Sequence, residues 1–283
     1  MIAQHLIGKV ILAGAGPGDP ELVTMKTARY LQQADVVLTD RLVSEAILTT
    51  YVRLGAEIIY VGKQCRRGVS TPQLTINQLI VQYALQGKLV VRLKGGDVSI
   101  FSNILDELET LVAHQIPYEI VPGVTAALGA AAYAGIPLTA RGYATAVRFL
   151  TYYKSDVVTE DYWKDLATTD DTLVFYMSSE TLDNVVEKLT SNHSADKPLA
   201  VIEQATTPFQ QVHITNLYSY HQDFNGLSFL SPSLVIVGKV VALHQQFAWL
   251  NNSLSSESYF KPMTSQVITI DNAEKESRHV SRA

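Results

Sequence analysis

The chain has 283 residues, 47% of them hydrophobic and 17% charged, a composition that gives ample core for one large or two medium domains. A formal charge of -5 argues against a nucleic-acid partner, although a local basic pocket can sit within an acidic protein. Cys65 is the single cysteine, which excludes an internal disulfide and a thiolate zinc site. The seven histidines lack metal-ligand spacing, so no metal is expected. No apolar run reaches the roughly 18 residues of a membrane helix, so no membrane partner is expected. The N-terminal residues lack a signal peptide's basic start and long apolar region, which makes the cytoplasm the expected compartment.

Val10–Ala13 reads as a buried strand, followed by the Gly- and Pro-rich loop Gly14-Ala-Gly-Pro-Gly-Asp-Pro20. From Glu21 to Ala34 the apolar residues Leu22, Met25, Ala28 and Leu31 recur at helical spacing, with Pro20 and Glu21 suited to a first turn. Val36–Leu38 is a second strand running into Asp40-Arg41. A strand, a helix and a strand joined by short loops form a βαβ unit and hence a parallel sheet. Ile58–Val61 is the next strand, ending at Gly62-Lys63. Thr71 and Pro72 then suit a helix start, and Gly87 its end. Leu89–Lys94 is a further strand, and Leu105, Leu108, Leu111 and Val112 mark the helix after it. Tyr118–Val121 ends at Pro122-Gly-Val-Thr-Ala126, before a helix of Ala and Gly running to Ala134.

A domain boundary is expected at the connector Ile136–Ala140. This divides the chain into an N-terminal domain over 1–140 with a mainly parallel sheet and a second α/β domain over 141–250. Strands at Val147–Thr151, Leu173–Met177, Leu199–Glu203, Gln211–Ile214 and Ser233–Val237, with a helix over Val185–Leu189, suggest a mixed sheet in the latter. Residues 251–283 turn polar without a periodic apolar face and read as a mostly disordered tail.

In an open parallel sheet, ligands bind at the carboxyl ends of strands. Here those ends carry Gly14–Asp19, Asp40-Arg41, Gly62-Lys63, Gly95-Gly96-Asp97 and Pro122–Ala126. Gly95-Gly96-Asp97 offers bare backbone and one acceptor, although alone it is equally a tight strand-to-helix turn. Gly14-x-Gly16 followed by Asp40 has the outline of a dinucleotide fingerprint. That fingerprint wants a third small residue where Asp19 stands, and Asp19 with Pro17 would disturb a pyrophosphate at a helix start, which argues against a nicotinamide cofactor.

Taken together, Gly14-Ala-Gly-Pro-Gly-Asp-Pro, Ala34-Asp-Val-Val-Leu-Thr-Asp-Arg-Leu-Val, Val61-Gly-Lys, Val91-Arg-Leu-Lys-Gly-Gly-Asp, Ile120-Val-Pro-Gly-Val-Thr-Ala-Ala, Ala132-Tyr-Ala-Gly-Ile-Pro-Leu-Thr and Leu173-Val-Phe-Tyr-Met resemble the tetrapyrrole methylase family. Within it they look most like the uroporphyrinogen-III C-methyltransferases, from about Val10 to about Leu243. The resemblance implies two α/β domains forming a cleft, a homodimer, and S-adenosylmethionine as methyl donor. It also implies two successive methylations of a tetrapyrrole at ring carbons, giving precorrin-2 for sirohaem and cobalamin synthesis. It carries cofactor contacts onto Pro17, Gly95, Gly96, Asp97, Ile100, Thr125, Ala126 and Met177, with Ala205 standing where the family has a glycine. The implied proton acceptor is Asp40 and the implied donor Lys63.

A substrate rich in carboxylates calls for basic side chains, for which Arg41, Lys63, Arg66, Arg67, Lys94, Arg141 and Arg148 are the candidates; about half are expected to be ordinary surface charges. The competing role for Asp40 is a helix cap or a structural ion pair, against which its strand-end position favours function, and the competing place for Met177 is the core. The chain departs from the family at Val98–Glu107, where a proline, an arginine and three glycines of the usual pattern are missing, and at Ala140, Gly142, Gln64–Gly68 and Thr151–Tyr153. These departures fit a methyltransferase with a changed tetrapyrrole pocket, one acting on another precorrin, or a tetrapyrrole-binding regulatory homologue with little turnover.

Overall fold

The computed structural model describes residues 7–61, 63–64, 69–70, 73–152, 159–260 and 267–269, with backbone only at 63–64, 69–70 and 267–269. Two compact units divide it. One holds the residues up to Thr125 and those from Phe260, and the other holds Ala126–Tyr259.

The first unit is built on strands β1 (Lys9–Gly14), β2 (Val36–Thr39), β3 (Glu57–Tyr60), β6 (Leu89–Lys94) and β7 (Tyr118–Val121). They run parallel in the order β3-β2-β6-β1-β7, and a short strand β13 (Val267–Thr269) lies antiparallel on β3 at the edge. Both faces of this sheet are covered, which explains why its strands read as unbroken apolar runs. Ile11, Ala13, Val37, Val91 and Leu93 face a core with Leu31, Ile47 and Leu48, while Val10, Leu12, Val36, Leu38 and Val90 face one with Ile76, Ile80 and Leu111. Two strand pieces, β4 (Lys63–Gln64) and β5 (Val69–Ser70), pair as a separate antiparallel hairpin.

The first helix, α1 (Met25–Leu31), starts later than the apolar spacing predicts. The Thr24 hydroxyl caps it by accepting from Thr27 N–H at 3.2 Å, while Pro20–Leu22 form a separate 3₁₀ turn capped by Asp19. Met25, counted on the apolar stripe, is 90% exposed. Helix α2 (Glu45–Tyr51), capped by Ser44, was not evident from the sequence pattern. Helix α3 (Gln73–Leu85) ends at Gly87, whose φ of 80° suits a left-handed stop; the expected cap and first residue, Thr71 and Pro72, lie outside the described residues.

Helix α4 (Ile104–Ala113) is fastened to β6 by one carboxylate. Glu107 is buried and accepts from Arg92 Nε at 3.0 Å and Lys94 Nζ at 2.9 Å, while Arg92 Nη1 also donates to the carbonyls of Leu38 and Leu93, both at 3.2 Å.

The second unit opens with α5 (Ala126–Tyr133) and contains a mixed sheet in the order β11-β10-β12-β9-β8. Its strands are β8 (Val147–Thr151), β9 (Thr172–Tyr176), β10 (Pro198–Glu203), β11 (Gln211–Asn216) and β12 (Ser233–Val237); β8 and β9 are parallel and the other pairs antiparallel. Helices α6 (Glu160–Thr168), another element the sequence pattern did not reveal, and α7 (Leu182–Ser191) cover one face, where Trp163 stacks on Phe175. Two short helices, α8 (Tyr220–Asp223) and α9 (His244–Phe247), complete the unit. On the other face Ala127, Ala130 and Ala131 of α5 pack with Ala200, Ile202, Leu234 and Ile236. That packing corrects the expected boundary: the change of unit falls before α5, because its small residues seat against the second sheet.

The polar stretch after Asn251 is not disordered over its described part. Asn252 accepts from Val212 N–H at 2.8 Å and donates to Val212 C=O at 2.9 Å, so an amide side chain satisfies the open edge of β11. Ser255 and Glu257 carbonyls accept from Gln211 and Gln204, and Phe260 is buried. Residues 261–266 and 270–283 lie outside the described residues.

Replacing Glu107 by Ala strands two buried cations. The expected loss is about 3–5 kcal/mol of unfolding free energy, measured as a lower urea midpoint at unchanged slope.

Candidate active site

The carboxyl ends of β2, β6, β1 and β7 lie side by side, since those strands are neighbours in one parallel sheet. Past β1 the backbone folds onto the end of β6. Ala15 N–H donates to Lys94 C=O at 2.8 Å, and Gly16 and Gly96 exchange both backbone hydrogen bonds, at 3.1 and 2.8 Å. Past β7 the backbone closes on the same point. A Cβ placed on Gly14 would meet Gly96 O at 2.6 Å and Gly123 N at 2.7 Å, and one placed on Gly123 would meet Gly96 O at 2.3 Å. Only glycine fits at these crossings. The chain between Gly14 and Pro20 is pinned from outside: Thr27, Ser44 and Tyr51 hydroxyls donate to the carbonyls of Gly14, Gly18 and Pro20 at 3.3, 2.9 and 2.9 Å. Asp19 is occupied with Glu21 N–H at 2.8 Å, which gives it a capping role.

Asp97 was expected to offer a ligand its carboxylate. Both oxygens are instead engaged by the protein. Oδ1 accepts from Ser99 N–H at 2.8 Å and from the Ser99 hydroxyl, and Oδ2 accepts from Gly123 N–H at 2.9 Å. Burial opposes ionisation of this carboxyl, but the bonds from the Ser99 hydroxyl and from Gly123 and Ser99 N–H outweigh it and hold its pKa below the ordinary value. Around this bolt Pro17, Gly95, Gly96 and Ile100 remain partly exposed, while Thr125 is buried.

Asp40 stands partly exposed at the end of β2, its Oδ1 accepting from Leu42 N–H at 2.9 Å. Thr39 pairs in register with Leu93, so Asp40 and Lys94 follow at adjoining strand ends. Lys94 corrects its assignment as a substrate cation: it is buried and held by Glu107. Burial pushes the pKa of its ammonium below the ordinary lysine value; the charge of Glu107 opposes that and the charge of Arg92 adds to it. Arg148 is likewise committed, with Nε 2.6 Å from Asp171 and Nη1 against Asp165. Arg41 is half-buried and Arg141 exposed on the turn between Ala140 and Ala144. Arg66 and Arg67 lie outside the described residues, as do Gly62 and the side chain of Lys63.

In the second unit Ala126 opens α5, whose Ala127 N–H donates to the Tyr176 hydroxyl at 3.1 Å. Met177, next in the chain, is 54% exposed with φ 54°, so it is not core. Ala205 packs partly buried against the core that holds α5, between Gln204 and Thr206, which have φ of 47° and 64°. The strained backbone falls on those two residues, and the methyl group at position 205 needs no left-handed conformation. Neither the Asp97–Ser99–Gly123 linkage nor the Tyr176 cap is legible in the local pattern, because each joins residues from separate elements. Among the described residues no cluster of His, Cys, Asp and Glu suits a metal ion, and no helix is long and apolar enough to cross a membrane.

The profile of the Tetrapyrrole (Corrin/Porphyrin) Methylases matches residues 9–220. A siroheme synthase of Pseudomonas paraeruginosa is 48% identical over 253 residues, 89% of this chain and 54% of that protein. One from Saccharophagus degradans is 46% identical over 243 residues, 86% of this chain and 53% of that protein. The chain thus spans about half the length of these curated relatives. Among solved structures, uroporphyrin-III-C-methyltransferase from Thermus thermophilus matches with a TM-score of 0.71 at 33% identity, covering 87% of this chain and 99% of that one. A cobalt precorrin-4 methyltransferase matches with a TM-score of 0.73 at 28% identity, covering 82% and 95%. The Thermus thermophilus uroporphyrin-III C-methyl transferase complexed with S-adenosylhomocysteine matches at 0.68 and 33%, covering 83% and 93%.

Gly123→Ala places a methyl group inside van der Waals contact with Gly96 O, and is expected to cost about 3 kcal/mol, the upper end of ordinary overpacking, read from thermal or urea unfolding. Asp97 has a folded pKa below its unfolded 3.8. Its charge-dependent stabilisation is therefore complete above that unfolded value and lost as pH falls through the folded one. The stability gap between the wild type and Asp97→Asn should be constant from neutral pH to about pH 5 and shrink in more acid solution, as followed by denaturant titration at each pH.

Proposed function

The chain belongs to the tetrapyrrole methylase family, and on that footing we propose that it transfers methyl groups from S-adenosylmethionine to ring carbons of uroporphyrinogen III, twice, giving precorrin-2. The observation that carries the reading is the glycine crossing of Gly14, Gly96 and Gly123 at adjoining strand ends, with Asp40 one strand away. Likeness to siroheme synthases supports a product used for sirohaem, and the resemblance read from the motifs extends this to cobalamin. The likeness to a transferase complexed with S-adenosylhomocysteine supports the donor.

The residues present fit such a donor. Gly95 and Gly96 are partly exposed without side chains, so peptide groups can approach a ligand closely, and Pro17 and Ile100 flank them with apolar surface. Thr125 and Ala126 stand at the start of α5, where peptide dipoles favour an anionic group such as a carboxylate. Met177 and Ala205 are the further contacts proposed in the second unit. When bound, the donor supplies a methyl group already activated on a sulfonium sulfur, so alignment does most of the catalytic work. Asp40, oriented by Leu42 N–H, is the proposed acceptor of the proton lost as the methylated pyrrole rearranges. Lys63 is the proposed proton donor. Lys94 and Arg148 are held by carboxylates of the chain itself; the cations proposed to meet substrate carboxylates are Arg41, Arg66, Arg67, Arg141 and Lys63. The partner proposed is a second copy of the chain.

A second reading, methylation of another precorrin, is supported by the match to cobalt precorrin-4 methyltransferase, which is comparable in TM-score though lower in identity. Incubation with methyl-labelled S-adenosylmethionine and uroporphyrinogen III without oxygen separates the two. The expected outcome is label in a dimethylated, precorrin-2-like product. No transfer to uroporphyrinogen III, with transfer to a later precorrin, would favour the second reading, and no transfer to either would leave a binding protein. Asp40→Asn should lower kcat by about 10²–10⁴-fold, and unchanged turnover would remove Asp40 from the mechanism.

A further inference from the structure

We propose that Ser99 is a positioning residue for the donor site, acting through the Asp97 carboxylate to hold the ends of β6 and β7 at a fixed spacing. This rests on reading Gly95–Asp97 as the donor platform. The side chain of Ser99 is exposed, so it contributes little to any core. It nevertheless gives two hydrogen bonds to one oxygen of a buried carboxylate, through its N–H at 2.8 Å and through its hydroxyl. With Oδ1 fixed in this way, Oδ2 is aimed at Gly123 N–H, 2.9 Å away across the gap between strand ends. Gly123 in turn lies against Gly14 and Gly96 closely enough that neither it nor Gly14 tolerates a Cβ. A rotation of the Asp97 carboxylate would therefore release Gly123 and shift the backbone beside Gly96.

The turn that follows needs such a support. From Val98 to Asn103 it contains no glycine, yet Phe101 and Asn103 take left-handed backbone, with φ of 51° and 52°. Polar side chains hold it: the Ser102 hydroxyl donates to Val98 C=O, and Asn103 Nδ2 donates to Asp106 Oδ2 at 2.7 Å. Ser99 is the member of this group whose bond reaches the glycine platform.

The test measures S-adenosylhomocysteine binding by calorimetry for the wild type, Ser99→Ala and Ser99→Thr, with thermal unfolding of each. Loosening of the Asp97 carboxylate in Ser99→Ala should weaken binding by roughly tenfold, and the lost hydrogen bond to a charged group should lower the melting temperature by no more than a few degrees. Ser99→Thr, which keeps both donors, should bind within about twofold of wild type. In turnover, Ser99→Ala should raise KM for S-adenosylmethionine while kcat at saturating donor changes little. Wild-type affinity in Ser99→Ala, or equal weakening in both variants, would overturn the role of the hydroxyl. A wild-type protein that binds no S-adenosylhomocysteine would overturn the donor-site reading itself, and this inference with it.

Discussion

Backbone meets backbone where β1, β6 and β7 end, and the rest of the first unit is arranged around that contact. Parallel strands are spaced by their hydrogen bonds, so three chains can touch beyond their ends only if nothing projects from them. Gly14, Gly96 and Gly123 meet that condition, and the Gly16–Gly96 bridge makes the first loop an extension of the sheet. The donors around the loop come from helices: Thr27 of α1, Ser44 at the cap of α2 and Tyr51 near its end. A surface held on so many sides has little conformational freedom left to lose when it meets a ligand, which is the condition for alignment to contribute to rate.

Charge is handled in the same place and in the opposite manner. Arg92, Lys94 and Glu107 bury two cations with one anion directly behind the glycine platform. Removing charges from water is unfavourable, and a group of this kind persists only with good geometry and satisfied donors. Here Arg92 also meets two carbonyls, and the charge of Asp40 reaches Lys94 from the neighbouring strand end. The cluster joins α4 to β6 across Val98–Asn103, so the divergent turn is anchored at one end by Asp97 and Ser99 and at the other by Glu107.

The parallel sheet was legible because apolar β-branched runs and Gly-rich ends are local signals, and such a unit needs both. What escaped notice depended on partners far along the chain. Lys94 reads as one more exposed base until Glu107 is folded onto it. Asp97 reads as an open acceptor until Gly123 arrives from another strand. The helices α2 and α6 are short, and their hydroxyl caps carry more of the signal than their apolar residues. The polar run after Asn251 resembled a disordered tail by composition, because its polar groups satisfy the edge of β11 and the Gln204 amide instead of filling a core. The small residues of α5 pack on the second sheet, a partner that the helix's own composition does not name.

The second unit holds its proposed donor contacts by strain balanced against polar clamps. Met177, Gln204 and Thr206 all take left-handed backbone just past β9 and β10, a conformation that costs non-glycine residues free energy unless neighbours fix it. Gln204 is fixed by Tyr259 N–H at 2.6 Å and by donating to Glu257 C=O at 3.0 Å, and Thr206 N–H donates to the Gln210 side chain at 2.8 Å. Gln210 reaches Tyr133 C=O at the end of α5 at 3.3 Å. The segment after Asn251 is therefore part of what holds Ala205 in place, although it lies beyond residues 9–220 matched by the family profile. Since the left-handed residues flank position 205, the methyl group of Ala205 meets no backbone strain of its own.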